Sequence, residues 1–173
     1  MSANLKVLFP AEQIASRVAE LGLQLRADHP DQTITLIAVL KGSVLFLADL
    51  ARAISGDVRL EFLGVASYHG GTSSSGAVQI TQDLRASIEG QACVIVEDIV
   101  DTGLTMDYLL RTLAVRGPRS LKVACLLDKP GNRETDVQVD YVGFTIPDEF
   151  VVGYGLDLGE LYRNLPFVAV YQP

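Results

Sequence analysis

The sequence predicts an α/β domain built on a mainly parallel, twisted sheet flanked by helices. Two observations carry that expectation. Short β-branched apolar runs, clearest at residues 34–40 and 93–96, leave no wet face and belong in a sheet covered on both sides. Segments with apolar residues at helical spacing alternate with them, and strand, tight turn, helix is the opening half of a β-α-β unit.

Taken in order, Ile14, Val18, Leu21 and Leu25 repeat at helical spacing until Asp28-His29-Pro30 ends the pattern. Residues 34–40 (I-T-L-I-A-V-L) form a buried strand, Lys41-Gly42-Ser43 a turn, and Val44, Phe46, Leu47 and Leu50 a second helix. Val58, Leu60 and Phe62 alternate with Arg59 and Glu61, a strand with one wetter face. Residues 67–76 (S-Y-H-G-G-T-S-S-S-G) are a small-residue loop, followed by a short returning strand at Val78 and Ile80. Residues 93–96 are another buried strand, leading into a helix from about Gly103 to Arg116 that Gly117-Pro118 closes. Residues 121–127 and 141–144 supply two more strands, and a last apolar run occupies 167–171. No repeat or linker interrupts the chain, so residues 1–173 are expected to form one domain.

The 173 residues are 49% hydrophobic and 20% charged, enough to bury a sizeable core. No stretch approaches the roughly 20 apolar residues of a membrane span, and residues 1–10 lack a secretory signal. Cys93 and Cys125 sit inside apolar runs in no metal-like spacing, as reduced thiols of a cytoplasmic protein would. The net charge of −7 argues against a general nucleic-acid surface. It also means that a polyphosphate ligand needs the few cations gathered at one place, or a divalent metal.

In sheets of this kind ligands bind at the carboxyl ends of the strands. Three such ends matter here: Lys41-Gly42, Glu97 onward, and Asp128-Lys129. After the apolar strand, Glu97 and Asp98 are costly neighbours unless hydroxyl donors or a cation meet them; ribose hydroxyls with magnesium nearby satisfy both. Asp101-Thr102-Gly103-Leu104-Thr105 then opens a helix. There Thr102 and Thr105 offer hydroxyls, Gly103 admits close approach, and first-turn amides point at an anion. Read alone, Asp101 is an ordinary helix cap, but the whole string points to a sugar-phosphate site.

Residues 94–105 (V-I-V-E-D-I-V-D-T-G-L-T) resemble the phosphoribosyl-pyrophosphate motif of type I phosphoribosyltransferases, and the likeness runs from about residue 34 to 166. It implies that family's fold, with a small hood built largely from residues 145–173 and a mobile lid at about 67–77 that begins with Ser67-Tyr68. By the same resemblance Leu40-Lys41-Gly42 is a pyrophosphate loop, in which the family often has a non-proline cis peptide. Lys129 donates to a purine 6-oxo group, Phe150 stacks on the base, and the Val151 backbone reads its edge. Asp157 holds a second magnesium, and Arg163 binds pyrophosphate. Glu97 and Asp98 complete the metal-ligating set. Many relatives carry a polar residue where Leu104 stands; the backbone makes the phosphate contact, so little effect on affinity is expected. His69 and His29 are given no role.

The activity implied is magnesium-dependent transfer of 5-phosphoribosyl from phosphoribosyl pyrophosphate to N9 of hypoxanthine or guanine, with Asp101 facing purine N7 as general base or hydrogen-bond partner. A homo-oligomer, dimer or tetramer, is expected on family grounds. Two rivals remain: a relative that prefers xanthine or a non-purine base, and an RNA-binding regulator built on the same fold.

Overall fold

The structure, a computed structural model, describes residues 4–68 and 77–172. Residues 69–76 of the expected lid, with His69, and the side chains of Ser67 and Tyr68 lie outside the described residues.

The elements run β1 (Asn4–Phe9), α1 (Ala11–Asp28), β2 (Ile34–Leu40), α2 (Val44–Ala53), β3 (Val58–Tyr68) and β4 (Ala77–Gln82). Then come β5 (Ala92–Val100), α3 (Leu104–Ala114), β6 (Ser120–Asp128), β7 (Tyr141–Thr145), β8 (Val151–Val152) and β9 (Val168–Gln172). The main sheet has the order β4-β3-β2-β5-β6-β7 and is parallel apart from β4 against β3. From β2 the chain moves outward one way and from β5 the other, so the switch point lies between the ends of β2 and β5.

Strand alternation explains why the central runs are apolar throughout. Ile34, Leu36, Ala38, Val94, Val96, Ala124 and Leu126 pack with residues of α1 and α2 in one core. Ile37, Val39, Cys93, Ile95, Val123 and Cys125 pack with Met106, Leu109 and Leu113 of α3 in the other. Both cysteines are free and buried, and burial pushes the Cys93 thiol up to about 11.

Two findings refine the sequence reading. Strand β5 runs on to Val100, so Glu97 and Asp98 lie within it rather than after it. The hood is a three-stranded sheet, β1-β9-β8, in which the N-terminal β1 pairs antiparallel with β9. Polar Asn4 and Lys6 break up β1's apolar run, which hides it in the sequence; its pairing with β9 makes it a strand. Stacked rings of Phe9 and Phe144, 4.0 Å between centroids, join hood to sheet. The Tyr154 hydroxyl donates to Asp49 Oδ2 of α2 at 2.5 Å, fastening the hood beside the switch point.

Candidate active site

At the end of β5 the backbone turns into α3 through Gly103, the residue before the helix, at φ 86°, where a β-carbon would be strained. The Thr102 hydroxyl accepts from the Leu104 amide at 3.4 Å, so Thr102 rather than Asp101 supplies the local cap-like bond. The amides of Thr105 and Met106, in the first turn, lack intrahelical acceptors and belong to residues that line a pocket with Glu97, Asp101, Thr102 and Gly103. Asp101 Oδ1 is buried without any hydrogen-bond partner. An ordinary cap would not leave that oxygen unpaired, at a cost of about 1–3 kcal/mol.

Alternation sends the two adjacent acids to opposite faces. Glu97 follows the odd series toward α3 and lines the cradle pocket, whereas Asp98 follows the even series toward the N-terminus of α2. Asp98 lies against Gly42, where a β-carbon would stand 1.6 Å from its Oδ2. The Asp98 amide donates back to Glu97 Oε1 at 3.4 Å. Burial, with Asp98 beside it, holds Glu97 well above the usual carboxylate range, and burial raises Asp98 as well.

The peptide between Leu40 and Lys41 is cis, as the resemblance implied for this loop. Gly42 also faces the hood: a β-carbon at Gly155, φ 102°, would stand 1.9 Å from Gly42 O. Lys41 Nζ pairs with Glu160 Oε2 at 2.9 Å, and Arg163 Nη2 reaches Glu160 Oε1 at 3.4 Å and Asp157 Oδ1 at 2.8 Å. One carboxylate, Glu160, thus spans both cations assigned to pyrophosphate. Arg163 is further fixed by Nη1 donating to Gly155 O at 2.7 Å, while its buried Nε has no partner.

A second pocket, of about 280 Å³, is lined by Asp98, Asp101, Lys129, Phe150, Val151 and Asp157, among others. The Lys129 side chain is 9% exposed, and its ammonium donates to Asp148 Oδ1 at 3.4 Å. Phe150 is 54% exposed and meets Tyr171 edge-on at 6.2 Å, which leaves ring surface available for stacking. Val151 is held in β8 by its pairing with Val170. The structure therefore gathers every expected site residue whose side chain is described: Lys41, Gly42, Glu97, Asp98, Asp101, Thr102, Gly103, Leu104, Thr105, Lys129, Phe150, Val151, Asp157 and Arg163.

Among the described residues no cluster of three or more His, Cys, Asp or Glu side chains is arranged to hold a metal. Asp98 and Asp157 nonetheless line one pocket, and a magnesium ion that keeps its waters and takes substrate phosphates needs only one or two protein carboxylates. That donor set fits. Sequence reasoning missed Arg133, Glu134 and Thr135, which pack behind the cradle, and Glu160. These residues fall in irregular segments where periodicity offers no signal, and their partners are distant in sequence.

Residues 5–158 match the phosphoribosyl transferase domain family. The chain is similar to the hypoxanthine-guanine phosphoribosyltransferase of Bacillus subtilis, 46% identical over 97% of this chain and 93% of that one. It is 50% identical to that of Mycobacterium tuberculosis over 96% of this chain and 86% of the other. Its fold is similar to the crystal structure of a hypoxanthine phosphoribosyltransferase from Staphylococcus aureus, with a TM-score of 0.93, 46% identity, and coverage of 97% and 91%.

Proposed function

The chain belongs to the phosphoribosyl transferase family, and from that premise we propose that it salvages purines. It transfers 5-phosphoribosyl from phosphoribosyl pyrophosphate to N9 of hypoxanthine or guanine, giving IMP or GMP and pyrophosphate. One observation carries this reading. The nearly buried ammonium of Lys129, the open ring of Phe150 and the acids Asp98 and Asp101 share one pocket, next to the cradle of residues 101–106.

A ligand bridging those pockets has its phosphate on the α3 amides, its ribose hydroxyls at Glu97 and Asp98, and its base between Phe150 and Lys129. Ammonium groups only donate, so Lys129 favours a 6-oxo purine over adenine. As the bond from C1′ to pyrophosphate breaks and that from N9 to C1′ forms, the purine loses a ring proton. Asp101, facing N7, accepts it or holds the hydrogen bond that releases it. Lys41 and Arg163 take the charge of the departing pyrophosphate, exchanging Glu160 for it. Glu97, Asp98 and Asp157 are the carboxylates available to magnesium, which when bound supplies further neutralisation of pyrophosphate charge.

Residues 1–173 act as one unit in this reading, with the segment around 67–77 excluding water as a lid. Exposed Leu60 and Leu161 and the family's habit support a homo-oligomer, dimer or tetramer. Among the described residues no helix is long and apolar enough to cross a membrane, and the two free thiols support a cytoplasmic setting. Nucleic acid is not the partner: the charge of −7 disfavours the RNA-binding alternative.

The test is a panel of hypoxanthine, guanine, xanthine, adenine and orotate with phosphoribosyl pyrophosphate, with and without magnesium, read by nucleotide product. IMP and GMP formed only with magnesium are expected. Salt-sensitive RNA binding with no nucleotide from any base would overturn the proposal.

A further inference from the structure

We propose that Arg133 is a positioning residue that shapes the 5′-phosphate cradle from behind, an inference that rests on the phosphoribosyl reading above. Arg133 Nη1 donates to Val100 O at 2.9 Å, to Asp101 O, and more weakly to Lys129 O at 3.4 Å. Its Nη2 pairs with the Asp128 carboxylate, and both side chains are mostly buried, at 18% and 14% exposure. The next residue continues the pattern, for the Glu134 amide donates to Thr102 O at 2.8 Å. Three successive carbonyls, of Val100, Asp101 and Thr102, are thus turned toward residues 133–134.

Those three peptides are trans, since among the described residues only the Leu40–Lys41 bond is cis. In a trans peptide the N–H points opposite to the C=O. Turning the carbonyls to the brace therefore turns the amides of Asp101, Thr102 and Gly103 the other way. That side holds the pocket lined by Asp101, Thr102, Gly103 and Thr105, which residues 133–135 do not line. Successive amides aimed into one concavity form an anion nest. At the same corner Gly103 admits the brace: a β-carbon there would meet Thr135 Oγ1 at 2.7 Å. The brace also ties the cradle to Lys129 at the strand end expected to read the base, through Lys129 O and through the Lys129 amide donating to Val100 O at 2.9 Å.

Guanidinium suits the task because one planar group donates in several fixed directions at once. Lysine would keep the charge but not the fan of donors.

The test compares wild type with Arg133→Gln and Arg133→Lys by IMP titration calorimetry, steady-state kinetics and thermal unfolding. The expected result for Arg133→Gln is an IMP affinity and a KM for phosphoribosyl pyrophosphate each worse by about 30-fold, with KM for hypoxanthine within threefold of wild type. Arg133→Lys should fall between the two. A merely structural residue would instead lower the unfolding midpoint and leave both KM values alone. Wild-type IMP affinity in a folded Arg133→Gln overturns the inference and leaves the proposed function standing. Failure of both variants to fold also overturns it, making Arg133 a folding residue. A wild-type protein that neither binds IMP nor makes it overturns the functional reading, and the inference with it.

Discussion

Gly42 and Asp98 touch so closely that a β-carbon on Gly42 would stand 1.6 Å from Asp98 Oδ2. The contact joins two strand ends across the switch point of the sheet, one carrying the expected pyrophosphate loop and the other the expected ribose acid. The same glycine meets the hood from its other side, through Gly42 O against Gly155. Loop, ribose acid and hood therefore pack as one unit, and a change of one methyl group at their junction must displace at least one of them.

Gly42→Ala is accordingly expected to lower kcat/KM for phosphoribosyl pyrophosphate by about 100-fold, the usual cost of misplacing a group by an ångström. The unfolding midpoint should move little, because the Asp98 carboxylate can swing away from the new methyl group. Steady-state kinetics beside thermal unfolding would check this, and wild-type kinetics would show that the contact does not constrain the site.

Asp101→Asn should reduce turnover by roughly 100- to 1,000-fold, the range of a positioned general base. Phosphoribosyl pyrophosphate binding should change far less. The fold should suffer little, since asparagine has the same shape and Oδ1 of Asp101 has no partner to lose. Unchanged turnover in the variant would remove Asp101 from the chemistry.

Much of this site is legible in the sequence because its residues follow strands. The runs ending at Leu40, Val96 and Leu127 announce themselves by composition, and the residues after them then fall at one edge of the sheet. The division of Glu97 from Asp98 was not legible, because it depends on β5 continuing to Val100 and so on pairing with β6. Nor was the bridge from Glu160 to Lys41, whose partners are 119 residues apart. Such contacts are set by tertiary packing, which no local period records.

Lys129→Gln tests the base pocket. A lost charge-assisted hydrogen bond is worth about 1.5–3 kcal/mol, so kcat/KM for hypoxanthine and guanine should fall by roughly 10- to 150-fold. Glutamine can accept as well as donate, so discrimination against adenine should relax in the same variant. Competition assays with mixed bases would measure both effects, and retained discrimination would place the selectivity elsewhere.

Glu160 neutralises Lys41 and Arg163 in the absence of substrate, and its carboxyl is held below the usual range, first by the hydrogen bond from Lys41. Pyrophosphate must displace it. Because exposed ion pairs are weak, Glu160→Gln should lower KM for phosphoribosyl pyrophosphate by only about two- to fivefold, with a matching gain in pyrophosphate inhibition. Initial-rate kinetics at low ionic strength would reveal the change, and an increase in KM would mean that Glu160 helps rather than competes.

Asp28 closes the far end of the sheet. Its Oδ2 accepts from the Tyr141 hydroxyl at 2.7 Å and from Lys122 at 3.0 Å, tying the end of α1 to β6 and β7. These bonds, Tyr141 first, hold its carboxyl below the usual range. A folded-state pKa below the unfolded value of about 3.9 means that the stabilisation is complete above that value and is lost as pH falls through the folded one. Asp28 is 47% exposed, so solvent screening limits the effect to about 1 kcal/mol or less. Asp28→Asn should therefore unfold about 2–4 °C lower than wild type at pH 7, with the gap closing toward pH 2. A gap that persisted at low pH would trace the loss to packing rather than to the ionised carboxylate.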